Sequence, residues 1–210
     1  MIDHSKKALL KDILLLFFFP VLFWASDCLF PWYFGNYHHP ENRNYGIPLV
    51  MSIFLLEWLC VIYVMYILKV RNLKLTFIYY FNERRKTIIF IFIYTFVAFI
   101  IYLFAEFKLS IAMDHNRKIV QNVLGPETAP ERLAWIALSF SAGFCEEFIY
   151  RGFGLATLIS KGLNKWIALP LTSLAFVLIH GPGVIYNLPF FAFTFIFGFI
   201  LGLLLLLFSL

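Results

Sequence analysis

The chain has 210 residues, of which 62% are hydrophobic and only 14% charged. Soluble domains carry about 25% charged residues, so no soluble fold suits this composition, whereas lipid readily solvates such apolar surface. The formal charge of +5 does not imply nucleic acid as a partner, because the basic residues flank apolar runs as topology signals do.

Apolar segments run at about 9–34, 47–68, 87–105, 132–158, 166–180 and 184–209. A bilayer helix requires ~20 apolar residues, so these predict an all-α, polytopic transmembrane helical bundle of about six helices. No linker or internal repeat divides it, and 1–210 reads as a single membrane domain. The first segment is too long for the apolar region of a signal peptide, and no A-x-A site follows it. It reads as an uncleaved span. Cys28, Cys60 and Cys145 lie within apolar runs and read as small buried hydrophobes.

The loops sort by charge. The N-terminus carries Lys6, Lys7 and Lys11. Lys69, Arg71, Lys74, Arg84, Arg85 and Lys86 follow the second, and Lys161 and Lys165 follow the fourth. The alternate loops carry fewer: Arg43, Lys108, Arg117, Lys118 and Arg132. The positive-inside rule then places both termini in the cytoplasm, in a cytoplasmic (inner) membrane. The loop pair His38-His39 with Glu41 reads as exposed loop rather than a metal site. Pro130 and Glu131, just ahead of the fourth span, suit a helix start.

Polar groups inside spans are costly and each needs a reason. Glu57 sits in the middle of the second span, where it can bond a neighbouring helix or line a cavity. The fourth span holds Cys145-Glu146-Glu147-Phe148-Ile149-Tyr150-Arg151. Glu147 and Arg151, four apart, share a helix face and can pair. That pairing explains two of the charges as packing and leaves Glu146 without a basic partner. The fifth span ends at His180. Glu146 and His180 are symmetric about the turn 160–165, so an antiparallel hairpin sets them at one depth, roughly 22 Å from the turn at the α-helical rise. A carboxylate and an imidazole so placed can do general acid–base work on a water. They can also serve as two metal ligands, although zinc takes three from protein. Gly198 and Gly202 form a G-x-x-x-G pair that permits close helix contact.

Glu146-Glu147 with Arg151, followed by Phe176 with His180, resembles the CAAX prenyl endopeptidase and bacteriocin-processing family, also called Abi or CPBP. These are intramembrane proteases. The resemblance covers about 131–205. It implies that Glu146 activates the attacking water, that His180 assists, and that Glu147 and Arg151 support the geometry. The family also uses a later His-x-x-x-Asn or His-x-x-x-Asp motif for the oxyanion. Here no His follows His180, and Asn187 is the nearest candidate donor, with a helix start before Pro189 as its alternative role.

The resemblance implies membrane lipid and a membrane-anchored or leader-bearing peptide or protein as partners. It leaves room for a zinc ion and for a homo-oligomer. Two other readings remain open: a non-catalytic scaffold of the same fold, and a small transporter relaying protons through Glu57, Glu146 and His180. The topology predicts that reporter fusions after residues 40, 78, 120 and 163 alternate outside, inside, outside, inside. Two adjacent fusions on one side would contradict it.

Overall fold

In lipid, backbone N–H and C=O groups have no water to bond, so an apolar segment must satisfy them internally, as a helix. The computed structural model describes residues 4–34, 46–74, 89, 92–97, 100 and 128–209, and these are helical apart from short turns, with no strand among them. Helix α1 is His4–Phe34 and α2 is Gly46–Val70. Helix α3, Ala129–Glu146, runs directly into a π-helix, Glu147–Leu155, and then α4, Ala156–Ser160. Helix α5 is Lys165–Leu178. A 3-10 turn, Pro182–Tyr186, leads into α6, Leu188–Ser209.

The expected segments correspond to these helices with small shifts at their ends. Among the described residues, four helical stretches are long and apolar enough to cross a membrane: Lys7–Ser26, Val50–Val70, Ala129–Ser160 and Leu188–Leu207. The expected span at 87–105 falls mostly outside the described residues; those of it that are described, 89, 92–97 and 100, are helical. The segment expected at 166–180 is shorter than a full crossing. Its 14 helical residues reach about 21 Å, against a hydrocarbon core of ~30 Å.

Local chemistry sets the boundaries. Thr128 caps α3 through a capping box: its hydroxyl accepts from Glu131 N and the Glu131 carboxylate accepts from Thr128 N, so two orphan donors of the first turn are satisfied. Between α4 and α5 the chain reverses in four residues. Gly162 takes φ +85°, Leu163 N donates to Leu158 O, and the Asn164 side chain accepts from Trp166 N. This is the short hairpin turn the sequence implies. At the far end of α5, Trp24 Nε1 donates to Leu178 O and satisfies a carbonyl that the helix itself cannot.

The core joins α1, α2, the π-helix, α5 and α6. Leu16, Phe19, Val64, Ile149, Phe153 and Leu169 are buried there, while Phe140, Leu133 and Ile62 stand exposed on the outside. That is the distribution of a bundle solvated by lipid. Cys60 and Cys145 are buried and free, as expected of small apolar residues. Helix α2 packs on α3, and α5 on α6. The two glycines of α6 lie in the second contact: a Cβ on Gly202 would come within 2.4 Å of Leu169 Cδ1, and one on Gly198 within 2.9 Å of Arg151 and Phe176. The G-x-x-x-G pair therefore serves packing within the chain.

Leu169 is wholly buried and has little room to yield. Gly202→Val should thus lower thermal stability in detergent by ~1–3 kcal/mol, the usual cost of overpacking. Gly143, where an added Cβ would meet nothing within 4 Å, should accept Ala without loss. Equal melting of Gly202→Val and the parent would contradict the packing described.

Candidate functional site

The first motif spans the junction of α3 and the π-helix, with Glu146 ending α3 and Glu147 and Arg151 in the π-helix. Such segments are rare and concentrate at functional sites. Within it Arg151 Nη1 lies 3.0 Å from Glu147 Oε1, the expected pair, with Arg151 4% exposed and Glu147 27%. Neither guanidinium nitrogen Nη1 nor Nη2 makes an aligned hydrogen bond among the described residues. Instead Arg151 Cζ sits 3.8 Å over the Phe176 ring, a cation–π contact that gains strength when desolvated. Gly198 leaves the space that the guanidinium fills.

Phe176 belongs to the second motif, and its ring is the hub of the site. Tyr150 meets it edge-on at 5.9 Å between centroids, and His180 at 5.2 Å. A continuous chain of contacts thus runs Glu147, Arg151, Phe176, His180 and joins the two motifs. His180 lies in the turn just past α5 and is exposed. Its Nδ1 is 3.0 Å from Phe176 O. A carbonyl can only accept, so Nδ1 carries a proton, and in the neutral ring Nε2 then holds the lone pair. Phe190 closes the other side of the imidazole, 5.7 Å away. The irregular backbone 179–187 follows a helix too short to cross. Non-helical backbone at membrane depth is tolerated only where protein buries it or where it lines a cavity.

Glu146 is half-buried at the start of the π-helix. Its charged neighbours are Glu57, Arg151 and Glu147, and Arg151 is likewise the charged neighbour of His180. Arg151 is therefore common to both proposed reacting groups. Because the helix is π rather than α from Glu147 onward, more residues fill each turn. Equal residue counts from the hairpin turn then no longer mean equal depth, and the symmetry argument for Glu146 and His180 is weakened on the Glu146 side.

Glu57 is 3% exposed and accepts from Ser141 Oγ at 3.4 Å. Ser141 in turn accepts from Trp58 Nε1 at 2.9 Å and lies 3.9 Å from Cys145 Sγ. Glu57 thus bonds a neighbouring helix, one of its two expected uses. Ser141, Tyr94 and Tyr150 join the site without having stood out in the sequence. Tyr94, in the helical stretch 92–97, brings its hydroxyl against Glu147. Tyr150 is fully buried beside Glu146, and its hydroxyl has no hydrogen-bond partner among the described residues. For Ser141 the signal was its polarity, close before Glu146 in an apolar span. The tyrosines carry none, since an aromatic belt explains a membrane Tyr equally well.

Asn187 Oδ1 accepts from Phe190 N at 3.3 Å and its carbonyl from Phe191 N at 2.8 Å, so this residue caps α6. Its Nδ2 is the group left for any oxyanion role. Among the described residues no three His, Cys, Asp or Glu side chains gather as metal ligands. The described donors beside Glu146 and His180 thus fall short of the three that zinc takes from protein. His38, His39 and Glu41 lie outside the described residues.

Residues 128–209 match the Rce1-like family, described as type II CAAX prenyl endopeptidase Rce1-like. The match upholds the resemblance carried by the two motifs. No curated protein and no solved structure matches the chain. The Rce1-like segment begins at the capping Thr128 and contains the whole contact chain from Glu147 to His180. It omits Glu57 and Tyr94, which reach the site from earlier helices.

Arg151→Ala would leave Glu147 without its partner in an apolar bundle. Breaking a buried pair costs ~3–5 kcal/mol, and the partial exposure of Glu147 places the expected loss at the lower end. Arg151→Ala should therefore melt well below the parent in detergent. An unchanged melting temperature would show that the pair is solvated.

Proposed function

We propose that this chain is an intramembrane endopeptidase of the CAAX-protease type, acting on a membrane-associated or leader-bearing peptide. The observation that carries the reading is the contact chain Glu147, Arg151, Phe176, His180, which draws both motifs of the Rce1-like segment into one site beside Glu146. Hydrolysis requires a water made nucleophilic, a place for the developing oxyanion and a proton for the leaving amine.

In this reading Glu146 takes the proton as water oxygen attacks the scissile carbonyl carbon. The tetrahedral intermediate collapses with cleavage of the C–N bond, and that proton passes to the amine. His180, held by its Nδ1 contact to Phe176 O, presents Nε2 to hydrogen-bond the water or the leaving group. Glu147 and Arg151 touch no reacting atom. They position Phe176, and through it His180. Asn187 Nδ2 is the candidate oxyanion donor.

A non-catalytic scaffold of the same fold is the second reading. It is favoured by the engagement of Asn187 as a helix cap. Loss of one oxyanion donor typically costs 10²–10³ in rate, so a site with only this donor would turn over slowly.

Glu146→Gln keeps the shape and removes the base. It should abolish processing of a membrane-anchored reporter peptide while the protein melts as the parent does. A Glu146→Gln protein that cleaves at the parental rate would reject the assignment. A parent that never cleaves, reconstituted in lipid with peptide libraries, would favour the scaffold.

A further inference from the structure

The two motifs account for Glu146, Glu147 and Arg151 and leave Glu57 over. Glu57 is the sole acidic residue of α2. It lies well inside the crossing stretch Val50–Val70 and is buried. Its Oε2 accepts from Ser141 Oγ at 3.4 Å, and among the described residues no cation pairs with it. An ionisable side chain at such a depth is costly and marks function more often than packing. Holding α2 on α3 does not require a charge, since a neutral amide would accept from Ser141 at lower cost.

The geometry around Glu57 is fixed on both sides. Ser141 has a single hydroxyl proton. Trp58 Nε1 donates to the Ser141 oxygen at 2.9 Å, which leaves that proton to point at Glu57. The Trp58 ring stacks on Phe144, with centroids 5.9 Å apart, so α2 and α3 are held in register around the carboxylate. Ser141 and Cys145 sit one turn apart on α3, 3.9 Å between Oγ and Sγ, and Glu146 follows Cys145 directly. Of the charges around Glu146, that of Glu57 bears on it most, ahead of Arg151 and Glu147. Cys145 and Tyr150 are the other titratable groups beside it.

We propose that Glu57 is a positioning residue of the hydrolytic site, a fixed negative charge on α2 that acts through Glu146. The inference rests on the reading of Glu146 as the base. When Glu146 takes the proton of the attacking water, its own charge is discharged and the repulsion between the two carboxylates is relieved. Glu57 thereby favours the step in which the water oxygen bonds to the carbonyl carbon. No bond forms or breaks at Glu57 itself, and it touches no substrate. In a medium of low dielectric, one such like charge within a few ångströms is enough to change a rate by about tenfold.

The test compares the full chain and its variants, reconstituted in lipid, on a membrane-anchored reporter peptide, with kcat and KM measured separately. Glu57→Gln keeps the shape and the acceptor for Ser141 and removes only the charge. It should lower kcat about tenfold while KM and the melting temperature stay parental, because an interaction made only in the transition state leaves KM unmoved. Glu57→Asp restores the charge on a shorter stem and should recover most of the lost kcat. If Glu57→Gln melts below the parent, Glu57→Met, which places an apolar chain of similar length in the bundle, should show the same loss of kcat. Parental kcat in Glu57→Gln, beside an inactive Glu146→Gln, would overturn this inference and leave the proposed function standing. Glu57→Asp as slow as Glu57→Gln would overturn it too, since charge would then not be what matters. A parent that cleaves nothing, or a Glu146→Gln protein that cleaves, would overturn the proposed function and this inference with it.

Discussion

A guanidinium inside an apolar bundle is expensive unless its charge is met, and the way Arg151 is met organises everything near it. Glu147 supplies the opposite charge one turn away. Phe176 supplies the face of an aromatic ring from the next helix, worth ~2 kcal/mol when desolvated. Gly198 supplies the space on a third helix. Three elements are therefore locked by one side chain, and the rings of Tyr150 and His180 pack around the same phenyl group. The two short motifs, well separated in sequence, become a single unit because of this stack.

The arrangement has a second layer. Glu57 and Trp58 on α2 converge with Ser141 and Cys145 on α3, and Glu57 is a charged neighbour of Glu146. These α2 residues precede the Rce1-like segment. The environment of the proposed base is thus built jointly by that segment and by the helices before it. Ser141 is the physical link, since its hydroxyl both donates to Glu57 and accepts from Trp58.

Much of this was legible in the sequence, for physical reasons. Spans are visible because lipid imposes length and apolarity, and α2, α3 and α6 begin within a few residues of the hydropathy limits. Glu147 and Arg151 were legible as a pair because helical spacing brings fourth neighbours together. The π-helix was not, because its wider turn has no compositional signature; within it Gly154 packs directly against Leu16. The cation–π contact was hidden as well. Nothing in the pattern Phe-x-x-x-His says which cation the ring will meet. Asn187 is the intermediate case, since its position before Pro189 suggested the helix cap that the structure shows, alongside the oxyanion role that remains a proposal.

The central claim is that Arg151 and Phe176 act as one interaction joining the two motifs. A double-mutant cycle of Arg151→Met and Phe176→Leu, read by reversible unfolding in detergent, measures that coupling apart from each residue's own packing. The account predicts a coupling of about 1–2 kcal/mol, with the double variant less destabilised than the sum of the singles. Strictly additive losses would mean that the arginine does not rest on the ring, and the two motifs would have no shared physical basis.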